Sequence, residues 1–230
     1  KVHRINHEGR FFKSRGPLNV IRSPRGGPAI LQAGVSPKGQ DFAAKYADAI
    51  FAIEPRAESA KRYHDSVKSH MARIGRDPRT CKILFGMQPF IGSTEAEARD
   101  RQAEHNSLVP VEGGLAILSA HVDFDLSQFP PGTILADRNE PQLQRLKTRY
   151  VGTDGKPLTM EQVAQRHGQS VGLPQFAGTP KSIADQMEAF MQHAGGDGFM
   201  VSPFHFPGAI EEFVDLVVPE LQRRGMMRTA

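Results

Sequence analysis

Eight consecutive residues, Gln32-Ala33-Gly34-Val35-Ser36-Pro37-Lys38-Gly39, carry the chemistry most easily read from this sequence. They follow a short apolar run and precede a helical pattern, so they join the C-terminal end of a strand to the N-terminus of a helix. Gly34 and Gly39 permit close backbone approach and Ser36 offers a hydroxyl. The first amides of a helix face outward with no partner of their own, which makes such a junction suited to phosphate. The same residues also suit a plain turn with a serine cap, because neither the GxxxxGK[ST] nor the GxGxxG spacing is present. Histidines are the second candidates. His121 lies in Leu118-Ser119-Ala120-His121-Val122-Asp123-Phe124-Asp125, near two carboxylates, and His205 lies in Pro203-Phe204-His205-Phe206-Pro207 just past an apolar run. Groups past strand ends are where barrel enzymes hold their reacting residues. The other seven, His3, His7, His64, His70, His105, His167 and His193, stand among polar residues and read mostly as surface groups. Asp123 and Asp125 read as turn and capping residues, Cys81 as a buried strand residue, and Ser23 and Arg25 as a solvated loop. No HExxH or comparable ligand spacing points to a metal.

The elements that must hold these groups alternate. Pro28 to Gly34 has the form of a strand buried on both faces. Phe42, Ala43, Tyr46, Ala47 and Ile50 fall at helical spacing, and Glu58 to Ile74 reads as a long polar helix. Lys82 to Ile91 and Gly198 to Ser202 read as further buried strands. Thr94 with Glu97 has the capping-box spacing, and Thr179-Pro180 places a cap residue before a first-turn proline. Ala209 to Arg224 is amphipathic and stopped by Gly225. Strand–helix alternation predicts an α/β fold with three or four parallel strands. Residues 1–27 read as an extended connector, residues 28–230 as the folded part, and 119–158 as a long irregular insertion.

The chain has 230 residues, 29 basic and 25 acidic side chains, a net charge of +4, one cysteine and no tryptophan. One cysteine excludes a disulfide framework and a cysteine-based zinc site, and fits a reducing, cytoplasmic setting. No apolar run approaches the ~20 residues of a membrane helix. The scattered positive charge lacks the aromatic interleaving of a nucleic-acid surface, so neither membrane nor nucleic acid is an expected partner.

Several motifs in order resemble the flavin-dependent monooxygenases related to bacterial luciferase, in the branch of nitrilotriacetate monooxygenase component A, dibenzothiophene sulfone monooxygenase and pristinamycin IIA synthase. They are His7 to Phe12, Gly16 to Pro24, Pro28 to Gly39, Gly113 to Ser119 with Asp125 to Ser127, Phe176 to Pro180, Asp197 to Phe199 and Val218 to Gly225. The resemblance implies a (β/α)8 barrel of which this chain supplies the C-terminal half, about strands five to eight with the inserted loop. The chain is thus expected to be a fragment, incomplete alone and prone to self-association as a dimer through open strand edges. It further implies a two-component, O2-using monooxygenase acting on a small organic substrate. Its cofactor would be FMN, supplied as FMNH2 by a separate NAD(P)H:FMN reductase. Gly34, Val35, Ser36 and Gly39 would hold the flavin phosphate. The position of His121 resembles a flavin-facing histidine of the long-chain alkane monooxygenase of this group, and His121 and His205 are the expected catalytic residues. Two alternatives stand beside this reading: a deazaflavin-dependent oxidoreductase, and a non-catalytic remnant that binds flavin or phosphate.

Overall fold

The computed structural model describes residues 3–21, 23–24, 26–34, 36–152 and 156–229. It divides into two compact units, Lys1–Ile30 and Leu31–Ala230. The first holds a two-stranded antiparallel hairpin, β1 (His7–Glu8) and β2 (Lys13–Ser14), closed by Gly9 N–H donating to the Phe12 carbonyl at 2.9 Å.

The second unit is α/β. Its sheet is parallel throughout: β3 (Leu31–Ala33) pairs with β4 (Ala49–Ala52), and β4 pairs with the long β5 (Lys82–Ile91). β5 then serves two further strands. Gln88 to Ile91 pair with β6 (Gln175–Gly178), and Leu84 to Met87 pair with β7 (Gly198–Val201). Helices α1 (Pro37–Tyr46), α2 (Ala57–Arg73) and α3 (Glu95–Ser107) follow β3, β4 and β5 in turn. Then come α4 (Val111–Val122), α5 (Gln144–Arg149), α6 (Met160–Ser170) and α7 (Pro180–Ala194), the last between β6 and β7.

Most boundaries follow local chemistry. Thr94 caps α3 by accepting from Glu97 N–H, while the Glu97 carboxylate reaches one residue past the cap to the Ser93 amide at 2.8 Å. Thr179 caps α7 ahead of Pro180. Five sequence expectations need correction. The parallel sheet has five strands among the described residues, not three or four, because the short β4 and β6 lack an apolar run long enough to stand out. Ile50, counted with the first helix, lies on β4, because α1 ends at Tyr46 and the extended backbone of Ala47 (ψ 138°) turns the chain back into the sheet. β3 is not buried on both faces. It pairs only with β4 among the described residues, which leaves Leu31 62% exposed. β7 likewise keeps Met200 exposed. The last helix is interrupted: α8 (Gly208–Glu212) widens into a π turn (Phe213–Val217) before α9 (Val218–Arg223). Pro219 has no N–H for the carbonyl four residues back, and Val218 N–H donates to Phe213 instead, so the helix loosens by one residue there.

Two apolar clusters hold the unit. The larger lies between sheet and helices, around Ile50, Val67, Ile83, Phe85, Ile183 and Phe190. The smaller is built mostly of leucines: Leu118 of α4, Leu126, Leu135 and Leu143 of short turns, Leu158 just before α6, and Val163 of α6. Each buried leucine contributes about 1.5–3 kcal/mol, so the turns between α4 and α6 are packed onto those two helices; the stretch expected to be irregular holds the end of α4 and all of α5 among its described residues.

Asp197, just before β7, ties the strand ends together. Its carboxylate accepts from Ile83 N–H and from Lys82 Nζ, both at 2.9 Å, with Lys68 Nζ at 3.8 Å. Burial alone would raise its pKa, but the Ile83 amide and the two lysines outweigh burial and hold it below the ordinary 3.8. Asp197→Asn is therefore expected to cost about 2 kcal/mol at pH 7. A depressed folded pKa gives stability that is complete above about pH 4 and lost as pH falls through the folded value. Urea denaturation at pH 7 and at pH 3 checks this: the gap between variant and parent should narrow only in acid.

Candidate functional site

The junction after β3 is built as a cradle. Ser36 caps α1: its Oγ accepts from Gly39 N–H at 3.0 Å, its carbonyl accepts from Gln40 N–H at 2.9 Å, and Pro37 fills the first turn. Because that hydroxyl acts as acceptor toward the helix, its own proton is left for an outside acceptor. Tyr63 of α2 donates its hydroxyl to the Gly34 carbonyl at 2.9 Å, which pins the loop to the neighbouring helix. Burial foremost, then the charge of Glu54 and Cys81, push the Tyr63 phenol well above its ordinary value, so it remains a donor. The Gln32 amide folds over the loop and donates to the Ala33 carbonyl at 2.9 Å. A methyl group built on Gly34 would stand 2.9 Å from Gln32 Nε2, and one on Gly39 would stand 3.1 Å from Ser36 Oγ. A side chain at either position would therefore have to displace the Gln32 amide or crowd the Ser36 hydroxyl, the two groups that shape the loop. Among the described residues Gln32 Oε1 is buried without a hydrogen-bond partner. Val35 and Arg25 lie outside the described residues.

Beside this loop opens a cavity of about 350 Å³, lined among others by Gln40, Arg56, Arg62, Tyr63, Arg145 and Arg149. One carboxylate, Glu54, faces these four guanidinium groups. Arg56 donates to the Thr148 carbonyl at 3.2 Å, and Arg149 Nε is buried without a partner. The cavity is thus cationic and adjoins the cradle through Gln40 and Tyr63. Sequence reading missed it, since its residues scatter from 40 to 149 with no spacing to connect them.

The two candidate histidines occupy different places. His121 sits on the last turn of α4, exposed on one side, with Nδ1 2.8 Å from Nε2 of His167 on α6. His167, read from sequence as a surface group, is 4% exposed, because the apolar face of α6 carries it inward against α4 and Tyr150. Tyr150 Oη lies 2.5 Å from His167 Nδ1. Burial first, then His121 and Arg149, lower the His167 pKa to about 4, so it is neutral at pH 7. His205 follows β7 and is exposed, its ring edge-on to Phe204 at 4.6 Å. It borders a separate cavity of about 500 Å³ with Arg101, His105, Phe204 and Glu212, where Arg101 and Glu212 pair at 3.1 Å. His121 and His205 share no partner. Asp123 closes α4 in the left-handed conformation (φ 52°), and Asp125 accepts from the Ser127 hydroxyl and amide at 2.7 and 2.9 Å. These contacts, the hydroxyl foremost, hold the Asp125 carboxyl below its usual range, as befits a capping residue. Cys81 is buried, and burial raises its thiol pKa. Among the described residues no group of three His, Cys, Asp or Glu side chains could hold a metal ion, and no helix is long and apolar enough to cross a membrane.

Comparison with known proteins agrees with this architecture. Dibenzothiophene-sulfone monooxygenase of Rhodococcus erythropolis is 41% identical over 237 residues, covering 100% of this chain and 52% of the relative. Nitrilotriacetate monooxygenase component A of Aminobacter aminovorans is 38% identical over 233 residues, covering 100% of this chain and 51% of the relative. A riboflavin lyase solved with a modified FMN and riboflavin superposes with a TM-score of 0.85 at 27% identity, over 100% of this chain and 51% of the other. This chain spans about half the length of the relatives it matches, and its parallel α/β sheet matches about half of such structures. The sequence profile described as luciferase-like monooxygenase matches residues 2–198. With that match over most of its length, the chain belongs to the luciferase-like monooxygenase family.

Proposed function

We propose that this chain is the C-terminal half of a reduced-FMN-dependent, O2-using monooxygenase barrel, contributing about strands five to eight, with the flavin phosphate held by Gly34, Ser36 and Gly39. The observation that carries the proposal is the Ser36 cradle opening beside the arginine-lined cavity. A dianion fits a helix start, a free hydroxyl proton and an excess of guanidinium groups. The buried orphan Gln32 Oε1 needs a donor, and the ribityl hydroxyls of FMN are donors. Bound reduced flavin would supply the two electrons that activate O2 for transfer of one oxygen atom to a small organic substrate. The chain's own residues do the rest: Ser36 donates to phosphate, Tyr63 fixes the loop, and His121 offers its exposed ring nitrogen. His205 stands at the strand-end face as the second candidate. That one relative is a "component A" supports a partner reductase that reduces FMN with NAD(P)H.

Titration of the full chain with FMN and FMNH2, followed by fluorescence and thermal shift, tests the reading. Ser36→Ala is expected to weaken binding by about 1.5–3 kcal/mol, roughly 10- to 150-fold. Ser36→Thr keeps the hydroxyl and should restore most of it, whereas Ser36→Asp keeps a capping acceptor without a hydroxyl proton and should not, which separates ligand contact from helix capping. Unchanged affinity in Ser36→Ala, or a parent chain that responds to neither flavin, overturns the assignment. Response to a deazaflavin but not to FMN favours the hydride-transfer alternative.

A further inference from the structure

Tyr150, His167 and His121 form an unbroken hydrogen-bonded chain from the interior to the surface. Tyr150 Oη stands 2.5 Å from His167 Nδ1, and His167 Nε2 stands 2.8 Å from His121 Nδ1. The His121 and His167 ring centroids are 5.0 Å apart with their nitrogens at 2.8 Å, which sets both nitrogens nearly on the line between the rings, so each points at its partner in its own ring plane although the planes stand at 88°. They come from three elements: His121 from α4, His167 from α6, and Tyr150 from the end of α5. Sequence separations of 46 and 17 residues mean that only the tertiary fold assembles them.

Proton counting leaves two arrangements. A neutral imidazole carries one N–H and one acceptor nitrogen. In the first, Tyr150 donates to His167 Nδ1, His167 Nε2–H donates to His121 Nδ1, and His121 keeps its proton on Nε2. In the second, every bond reverses. His121 Nδ1–H donates inward, His167 Nδ1–H donates to the phenol oxygen, and the Tyr150 proton must find another acceptor. Among the described residues the Tyr150 hydroxyl has no contact except His167. The second arrangement therefore leaves the Tyr150 proton to solvent in the cavity it lines, without a described protein acceptor, whereas the first pairs every inward-facing donor within the chain.

The geometry points to Tyr150 and His167 as positioning residues that hold the neutral ring of His121 in the tautomer protonated on its exposed Nε2. His121 then acts as a hydrogen-bond donor, not as a base. Taking up a proton at His121 Nδ1 requires the whole chain to reverse. The groups facing His167 are His121, Tyr150 and Arg149, and none is an anion that would favour such a reversal. The consequence for catalysis rests on the proposed role of His121; the tautomer itself does not.

The test is two-bond ¹⁵N–¹H NMR on the full chain with ring-labelled histidine at pH 8, with His121 assigned by its loss in His121→Gln. Wild-type His121 is expected as a single tautomer, Nε2 protonated and Nδ1 bare. Tyr150→Phe removes the donor that sets the direction, and His121 should shift to a mixture of both tautomers. His167→Gln, whose amide can accept from Tyr150 and donate to His121, should keep His121 protonated on Nε2. A wild-type His121 protonated on Nδ1, or already a mixture, overturns the relay whatever becomes of the variants. So does a Tyr150→Phe chain with unchanged core methyl signals and an unchanged His121 spectrum. Failure of flavin to bind while the tautomer shift appears would sink the proposed function and leave the relay standing.

Discussion

Gly114→Ala is expected to be among the most damaging single-methyl additions in the molecule. Gly114 lies on α4 where that helix meets α6, and a methyl built there would fall 2.3 Å from the Ala164 carbonyl oxygen and 2.7 Å from its carbon. Those atoms are helix backbone and cannot rotate aside. The opposite face is also tight, since a methyl on Gly168 of α6 would stand 2.7 Å from Val109 Cγ1 and 3.3 Å from the Gly114 Cα. The two helices touch main chain to main chain, so one added carbon must push them apart. Separation unloads Leu118 and Val163, both fully buried, and stretches the His121–His167 bond that crosses the same interface. Overpacking against a flexible neighbour costs about 1–3 kcal/mol, and against backbone the cost should reach about 3 kcal/mol or more. Gly113→Ala is the control. Its methyl would meet only Pro110 Cγ at 3.2 Å and would gain up to ~1 kcal/mol of helix propensity. Urea midpoints of the two variants should therefore move in opposite directions or, at the least, differ by several-fold in their shift. Equal midpoints would show that α4 and α6 are not in backbone contact.

The readable parts of this molecule are those whose cause is local. The Ser36 cradle compresses strand end, cap, proline and glycines into eight residues, and the Lys82–Ile91 strand is an apolar run long enough to keep its bounds. Thr94 and Thr179 name their own helix starts because a cap acts over three residues. What escaped depends on distant partners. Ile50 continues the helical period of Phe42 and Ala43, and only pairing of β4 with strands on both sides draws it into the sheet. His167 sits among Gln165, Arg166 and Gln169, a polar neighbourhood in sequence, yet its burial comes from Tyr150 and His121 on other elements. The second core was equally hidden. Leu126, Leu135 and Leu143 stand on separate short turns, so their apolar character follows no helical or strand period.

Arg76→Ala is the second large effect expected, and it acts on the candidate site from behind. α1 ends at Tyr46, leaving its last carbonyls without donors of their own. Gly75, in the left-handed conformation (φ 77°), turns the chain after α2 so that Arg76 reaches across to that end. One guanidinium then serves three carbonyls. Nη1 donates to Ala43 and Ala44 at 3.3 and 3.1 Å, Nη2 donates to Ala47 at 2.6 Å, and Nε rests on Thr80 Oγ1 at 3.2 Å. A positive charge at this end also interacts favourably with the negative end of the helix dipole. Truncation leaves the carbonyls of Ala44 and Ala47, both wholly buried, short of their donors, while Ala43 keeps the Ala47 N–H at 3.0 Å. A loss of about 3–4 kcal/mol is expected, since each charged hydrogen bond contributes about 1.5–3 and the set is not additive. Arg76→Lys keeps the charge but not the fork, so it should recover less than half. Because the other end of α1 carries Ser36, flavin affinity should fall together with stability in Arg76→Ala. In Ser36→Ala affinity should fall far more than stability. Parallel denaturation and flavin titration of the two variants separate a helix held at its far end from a hydroxyl that touches the ligand. If Arg76→Ala lost stability with no change in affinity, α1 would not be what aims the cradle.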